Sequence, residues 1–103
     1  MFTYELLYQI LYNWVVNKNK DCNHYHKIIE DIEPITPDGC EECLAQKLYW
    51  ISLRKCLVCG HVGCDKFSIG KHADKHYAQT GHEIIEMYPD KTWRWCYEDN
   101  VYI

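Results

Sequence analysis

The pattern of hydrophobic and polar positions separates an apolar N-terminal segment from a longer, mixed part of the chain. Residues 1–17 read MFTYELLYQILYNWVVN, and the polar run NKNKD follows them. Apolar side chains recur in the segment at the spacing of one helix face: Leu7, Ile10, Leu11 and Trp14. We therefore predict an N-terminal helical extension over residues 1–20, which docks on the core of the protein or on a second copy.

Two other interpretations of this extension stay open. A helix lying on a membrane surface is typically rich in Lys and Arg on its polar face, whereas the only charged side chain in residues 1–17 is Glu5. A disordered appendage is the second alternative. The segment is short and contains several Tyr, Gln and Asn residues, so no membrane span is expected.

The mixed part predicts one small α+β domain over residues 21–103. Two prolines and an Asp-Gly pair in residues 27–39 indicate an extended connector with a turn at Asp38-Gly39. The stretch SIGKHADKHYAQTG predicts a helix over residues 69–80, with Ser68 as its N-cap and Gly81 as its stop. Residues typical of strands concentrate in four segments: 48–54, 82–88, 92–97 and 101–103.

Composition changes this picture because seven of the 103 residues are Cys and six are His. A domain of this size has a thin margin of stability, and an odd number of Cys argues against a closed set of disulfides. The pairs Cys40-x-x-Cys43 and Cys56-x-x-Cys59 are typical of metal-binding knuckles. The N-terminus shows no secretory signal, so we expect zinc thiolates in a reducing cytoplasm.

The net charge of −4 bears on the partner. The chain has no long basic run that would neutralise a phosphate backbone. No nucleic-acid partner is therefore expected, and a protein or a peptide C-terminus is favoured.

The candidate zinc ligands are Cys and His residues together with one Asp. Structural zinc takes four ligands, and the Cys and His candidates number eleven, one short of three full sites. Asp99 follows Cys96 at the spacing of a knuckle and supplies a twelfth. The full set is Cys22, His24, Cys40, Cys43, Cys56, Cys59, Cys64, His72, His76, His82, Cys96 and Asp99.

Spacing alone leaves several assignments open. His72 and His76 lie four positions apart on one helix face, where they either clamp one ion or serve two. Asp99 has the alternative of a surface acid, and the upstream Cys22 and His24 that of an unrelated thiol and a solvated imidazole. The remaining histidines, His26 and His61, are expected to have ordinary surface or hydrogen-bonding roles.

The order of these motifs resembles the UBP-type zinc finger. The order is Cys-x-x-Cys, Cys-x-x-Cys-Gly, Cys64, KHADKHYAQTGH and WCY, and it extends over about residues 22–102. That module occurs in deubiquitinases and in a cytoplasmic deacetylase, where it binds the free C-terminal tail of ubiquitin. The ending WRWCYEDNVYI is most similar to small prokaryotic members. The resemblance implies a twisted antiparallel sheet packed on one helix.

The resemblance also implies an interleaved set of three zinc sites. His72 and His76 then serve different ions, and Asp99 stands where eukaryotic members often have Cys. The implied first site is Cys40, Cys43, Cys64 and His72; the second is Cys56, Cys59, His76 and His82; the third is Cys22, His24, Cys96 and Asp99.

The pocket of the ubiquitin-binding members is only partly matched. Trp95, Tyr97 and Tyr102 correspond to its aromatic positions, whereas Lys66 stands at its Arg position and Arg54 at another aromatic position. Lysine offers a point charge without the bidentate fork of arginine, so the grip on a carboxylate is expected to weaken. The alternative is that the aromatic side chains simply pack in the sheet.

Three functions remain in order of preference. The first is a non-catalytic, zinc-stabilised interaction module that uses the surface of Trp95, Tyr97 and Tyr102. The second is a reader of free Gly-Gly tails of ubiquitin or a ubiquitin-like protein. The third is a zinc hydrolase with an open third site at Asp99, which is disfavoured because twelve ligands fill three tetrahedra and no Glu accompanies the His-x-x-x-His pair.

Overall fold

The computed structural model describes residues 22–103, so the predicted N-terminal extension lies outside the described residues. The described part confirms the α+β class. Its elements are a short 3-10 helix His24–Lys27, α1 Glu41–Gln46, β1 Leu53–Cys56, β2 Val62–Cys64, α2 His72–Thr80, β3 Ile84–Tyr88, β4 Arg94–Cys96 and β5 Val101–Tyr102. None of the helices in this part is long and apolar enough to cross a bilayer.

The five strands form one antiparallel sheet in the order β2-β1-β3-β4-β5. Cross-strand partners point to the same face of a sheet. The register pairs Arg54 with Met87, and Trp95 with both Ile85 and Tyr102. Because positions two apart on a strand share a face, Arg54, Trp95 and Tyr102 all project from one side of the sheet.

Helix α2 packs close to the β2 end of this same face. Gly63 pairs with Arg54 across β1 and β2, and a Cβ atom built on Gly63 would lie only 2.6 Å from the backbone nitrogen of Ala73. The absent side chain therefore lets the helix backbone contact the sheet directly. The expectation of a sheet packed on one helix is confirmed, with α1 as a shorter second helix.

The apolar core is small and divided into two clusters. The first contains Leu53 and Val62 beside three cysteines, and the second contains Leu57 and Ile84 beside two more: Cys40, Cys43 and Cys64 in the first, Cys22 and Cys96 in the second. Neither cluster includes a fully buried aromatic side chain. The chain outside the metal ligands therefore buries little apolar surface of its own.

Three expectations about elements need correction. The strand predicted over 48–54 begins only at Leu53, because the preceding residues are bonded to the loop before α2: the Ile51 N–H donates to Ser68 Oγ at 2.8 Å. Ser68 is not the N-cap of α2, since its hydroxyl donates to Asp65 at 2.5 Å and the helix begins at His72 after Lys71. Residues 41–46, for which no helix was expected, form α1.

The expected turn and helix stop are confirmed. The Gly39 N–H donates to the Thr36 carbonyl at 3.3 Å, which closes the turn around Asp38. Gly81 ends α2 in the left-handed region with a φ of 74°.

Candidate metal centres and aromatic cleft

Three groups of four side chains bring their ligand atoms to within 4.8 Å of one another. The groups are Cys40, Cys43, Cys64 and His72; Cys56, Cys59, His76 and His82; and Cys22, His24, Cys96 and Asp99. This is the grouping that the resemblance implied. His72 and His76 fall in different groups, an arrangement that favours two separate ions over one shared ion.

The first group is buried at the junction of α1, β2 and α2. Nδ1 of His72 lies 3.3 Å from Sγ of Cys40, 3.4 Å from that of Cys43 and 3.3 Å from that of Cys64. A tetrahedral zinc with ordinary bond lengths separates its nitrogen and sulfur ligands by about 3.6 Å. The three distances therefore match a metal tetrahedron within a few tenths of an ångström.

Backbone amides support the sulfur atoms of the first group. Cys40 is the N-cap of α1, where its Sγ accepts the Cys43 N–H at 3.4 Å. Sγ of Cys64 accepts the N–H of His72, the first residue of α2, at 3.2 Å. Each N–H group turns its partial positive charge toward a sulfur atom and holds that sulfur in place within the group.

The second group combines a tight knuckle with the side of α2. The Cys56 N–H donates to the His61 carbonyl and the Gly60 N–H donates to the Cys56 carbonyl, each at 2.8 Å. Sγ of Cys59 lies 3.4 Å from Nε2 of His76, and Sγ of Cys56 lies 3.7 Å from Nδ1 of His82. These separations also fit a tetrahedral ion with two sulfur and two nitrogen ligands, about 3.6 Å apart.

The third group joins the two ends of the described chain. Nδ1 of His24 lies 3.6 Å from Sγ of Cys22 and 3.4 Å from Sγ of Cys96. It lies 2.9 Å from a carboxylate oxygen of Asp99. Cys22 and Cys96 are buried, whereas Asp99 is exposed, so the carboxylate closes the group on its solvent side.

Burial disfavours ionisation of two of the buried thiols when no cation is present. Burial, with the neighbouring thiols, raises the pKa of Cys43 to about 12 and that of Cys56 to about 11. Burial, and then the charges of His61 and His82, lower the pKa of His76 to about 4. The imidazole is thus neutral at pH 7 and able to bind metal, and the thiols require a cation to become thiolates.

A cleft of about 260 Å³ lies on the face of the sheet that carries Arg54 and Trp95. It is lined by all five residues that the resemblance suggested for peptide binding: Arg54, Lys66, Trp95, Tyr97 and Tyr102. The lining residues that sequence reasoning did not single out for the cleft are Asp65, Phe67, Asp74, Ile85 and Trp93.

One wall of the cleft is a set of interlocked aromatic rings. The Tyr102 ring packs edge-on against Trp95 at 4.9 Å and against Trp93 at 5.6 Å, measured between ring centroids. Tyr97 stacks on Tyr77 of α2 at 4.6 Å, and its hydroxyl donates to Asp74 at 2.7 Å. Burial and this hydrogen bond raise the pKa of Tyr97, so the hydroxyl stays a donor.

Arg54 is the fixed cation of the cleft. Its guanidinium lies 4.6 Å from the centre of the Trp93 ring, while Nη1 donates to the Leu53 carbonyl at 2.9 Å. Nη2 lies 3.9 Å from the Asp65 carboxylate. Burial raises the pKa of Asp65, but hydrogen bonds from Ser68 and Ser52 and the charge of Arg54 outweigh it and leave that pKa below its ordinary value.

Lys66 is the accessible cation of the cleft. Its side chain is exposed, and Nζ lies 5.4 Å from the centre of the Phe67 ring. Within residues 22–103, no carboxylate lies within ion-pair distance of this ammonium group. Its charge is therefore available to an anionic group that enters the cleft.

The histidines outside the three groups differ from each other. His26 is exposed and donates from Nδ1 to the Asn23 carbonyl, in keeping with its expected ordinary role. His61 is buried, hydrogen-bonded to Glu42 and stacked on His76. Its stacking depends on the pairing of β1 with β2 and on the position of α2, which the spacing of residues does not reveal.

A small α+β fold whose core is organised around groups of Cys and His defines a zinc-finger domain, and the three groups are compatible with Zn²⁺. Residues 40–103 match the family described as the zinc finger in ubiquitin hydrolases and other proteins. The chain belongs to this family. The match includes ten of the twelve predicted ligands, and the remaining two, Cys22 and His24, precede it.

The chain is also similar to individual proteins. It is 32% identical over 71 residues to the BRCA1-associated proteins of Mus musculus and Homo sapiens, which covers 68% of this chain and 11% of each relative. It is 31% identical over 64 residues to the RING finger protein ETP1 homolog of Schizosaccharomyces pombe. The chain thus spans about a tenth of the length of the curated relatives that it matches.

A solved structure is similar over most of both chains. The solution NMR structure of protein RPA1320 from Rhodopseudomonas palustris is 47% identical to this chain, with a TM-score of 0.73. The similarity covers 80% of this chain and 79% of that one. A small bacterial protein therefore has the same fold, as the resemblance to small prokaryotic members implied.

Proposed function

We propose that this zinc-binding domain is a non-catalytic protein-interaction module whose twelve Cys, His and Asp residues hold three structural zinc ions. Each group offers four donors, which is the full set for a tetrahedral structural site, whereas a catalytic zinc keeps a position for water. The metal, once bound, supplies the cross-links that the small core lacks. Because the sulfur ligands must stay reduced, the proposal includes a reducing, cytoplasmic location.

The aromatic cleft is the contact surface in this proposal, and the observation that carries it is the combination of flat rings with two cations. Trp95 and Tyr102 offer ring faces and edges to an extended backbone, and Arg54 and Lys66 offer positive charge. A peptide chain that ends in a free carboxylate has both features. Lys66 is the group proposed to meet the carboxylate, because Arg54 is already near Asp65.

A reader of free Gly-Gly tails is the second candidate. Glycine residues at the end of a tail leave the space beside the rings open to the backbone itself. Two features should lower the affinity for the tail carboxylate. Lys66 offers only a single point charge, and the cleft contains two acids, Asp65 and Asp74. The candidate therefore predicts weaker binding than a bidentate arginine would give.

The test is a calorimetric titration of the zinc-loaded protein with a peptide ending in Arg-Gly-Gly, as the free acid and as the amide. We expect the acid to bind and the amide to bind at least tenfold more weakly, because a charged hydrogen bond contributes about 1.5–3 kcal/mol. Lys66→Ala should weaken binding of the acid by about tenfold or more. Lys75→Ala, an exposed lysine of α2 outside the cleft, is the matched control.

The outcomes separate the candidates. Binding of the acid that Lys66→Ala removes supports a tail reader. Equal binding of acid and amide supports an interaction module that recognises the aromatic wall but not the carboxylate. Absence of binding by both peptides rejects the Gly-Gly tail and leaves the aromatic surface to be tested against other protein C-termini.

A further inference from the structure

His61 is buried between two metal groups without belonging to either. It is 4% exposed, and its ring stacks on that of His76 with 4.1 Å between centroids and 7° between planes. Its carbonyl accepts the N–H of Cys56 at 2.8 Å. One residue therefore contacts the second group at two places, through its ring and through its backbone.

The other side of His61 contacts Glu42, a residue between two cysteines of the first group. Its Nε2 lies 2.9 Å from both carboxylate oxygens of Glu42. Glu42 is in α1, between Cys40 and Cys43, and one of its oxygens lies 3.7 Å from Sγ of Cys40. Within residues 22–103, Glu42 forms no hydrogen bond or ion pair with a member of the second group, and His61 lies between them.

The His76 ring packs against two other imidazole rings, those of His61 and His82. A zinc-binding histidine normally donates its second ring N–H to a carboxylate, a carbonyl or a water. Nε2 of His76 faces Cys59, and within residues 22–103 Nδ1 makes no hydrogen bond. Of the two neighbouring rings, that of His61 is the nearer and is nearly parallel to His76, whereas that of His82 meets it edge-on at 5.3 Å.

We infer that His61, held by Glu42, is a positioning residue that orients His76, so that the metal affinity of the second group depends on a side chain in the knuckle of the first. The stacked ring restricts rotation of His76, and the Glu42 carboxylate in turn restricts His61. Removing such supports typically lowers metal affinity 10–100-fold. The two neighbouring groups are therefore energetically coupled, although they share no ligand.

A fourth metal ion at this place is the competing explanation. Glu41, Glu42 and His61 bring ligand atoms to within 4.8 Å of one another. This group has three members, one fewer than each of the other groups, and its Glu41 is exposed with a carboxylate oxygen 3.6 Å from Nε2 of His61. The geometry thus favours a direct His61–Glu42 contact, and the experiment includes a count of bound metal.

The experiment loads the protein with ¹¹³Cd²⁺, whose NMR signal reports each group separately, and removes the metal by titration with EDTA. In Glu42→Ala we expect the second group to lose its metal at 10–100-fold lower EDTA activity than in the unmodified protein. Glu42→Gln keeps an acceptor for His61 and should restore the affinity. Glu41→Ala is the control, since Glu41 is exposed and its carboxylate lies farther from Nε2 of His61, at 3.6 Å.

Combined substitutions decide whether Glu42 acts through His61. His61→Ala should weaken the second group by a similar factor, and adding Glu42→Ala to it should produce no further loss there. The inference is overturned if Glu42→Ala leaves the affinity of the second group within twofold, if the two effects multiply, or if Glu41→Ala matches Glu42→Ala. A fourth cadmium in the unmodified protein, absent from Glu42→Ala, would overturn it in favour of a metal site.

Discussion

Asp99 shows how a single residue defines the number of metal ions that the chain is expected to bind. Its carboxylate lies 2.9 Å from Nδ1 of His24 and 3.9 Å from Sγ of Cys96, in the group that the family match covers only in part. Its place as a zinc ligand stays a prediction. An exposed carboxylate exchanges with water more readily than a buried thiolate, so this ligand is the weakest of its group.

We predict that Asp99→Ala lowers the zinc content from three to two ions per chain, because three remaining ligands and exposure to solvent do not retain the metal. Asp99→Cys should retain all three, since a thiolate at the same spacing completes the tetrahedron. Metal analysis after dialysis measures both. Asp90→Ala, at another exposed acid, is the control, and an unchanged zinc content in Asp99→Ala would remove Asp99 from the ligand set.

The thiol pKa values lead to a second prediction at the residue scale. Without a cation, burial first and neighbouring groups after it raise the pKa of Cys22 to about 12, so that thiol is protonated at neutral pH. Binding of zinc then displaces protons, and a fall in pH must favour metal release.

Calorimetry of zinc binding in buffers of different ionisation enthalpy should therefore show more than one proton released per zinc at pH 7. Apparent zinc affinity should decrease steadily as the pH is lowered from 7 to 5. Release of less than one proton per zinc would show that thiolates exist before the metal arrives.

At the scale of elements, the sequence predicted the helix stop better than its start. Gly81 carries a visible signal, because few other residues adopt its φ of 74°. The start depends on two competing hydrogen bonds of Ser68, whose hydroxyl donates to the nearby Asp65 and accepts the N–H of the more distant Ile51. Lys71 takes the cap position instead. A capping pattern read locally cannot reveal these competing hydrogen bonds.

The short strand β2 and helix α1 escaped prediction for related reasons. Val62–Cys64 has only three residues, too few for an alternating pattern to be recognised. Residues 41–46 are held as a helix by Cys40 and Cys43 around the first group rather than by an apolar stripe. By contrast, the grouping of these side chains into three sets of four could be predicted, because knuckle spacings and the family resemblance specify it without a full set of strands.

Two glycines with positive φ provide a prediction about these elements. Gly81→Ala should cost about 1–2 kcal/mol in the stability of the zinc-loaded protein, because the position strains any side chain but has nothing within 4 Å. Gly60→Ala should cost more, since a Cβ there would also lie 2.4 Å from the Glu33 carbonyl oxygen. Thermal unfolding in excess zinc compares them, and equal shifts would contradict the difference in contacts.

At the scale of the whole molecule, most cysteines of the metal groups are also core residues. Five of the seven cysteines belong to the two apolar clusters, so ligands and core cannot separate. Structural zinc contributes about 10 kcal/mol or more to folding in small domains, which exceeds what a thin core can supply.

Complete removal of metal should therefore unfold the domain. We expect the far-ultraviolet circular dichroism of the described elements to collapse when a strong chelator is added, and to return when zinc is restored under reducing conditions. A native-like spectrum at zero bound metal would show that the core is sufficient alone. Deletion of residues 1–20 should leave the three ions in place, because all twelve predicted ligands lie in residues 22–99.

The third group has a topological consequence. It connects Cys22 and His24 to Cys96 and Asp99, so the metal-loaded polypeptide between them is a closed ring of noncovalent origin. The exposed connector around Ile35 and Pro37 offers a protease an accessible place to cut this ring. A single cut there gives two fragments, one carrying Cys22 and His24 and the other carrying Cys96 and Asp99. The two fragments should stay together in native conditions and separate only when the metal is removed.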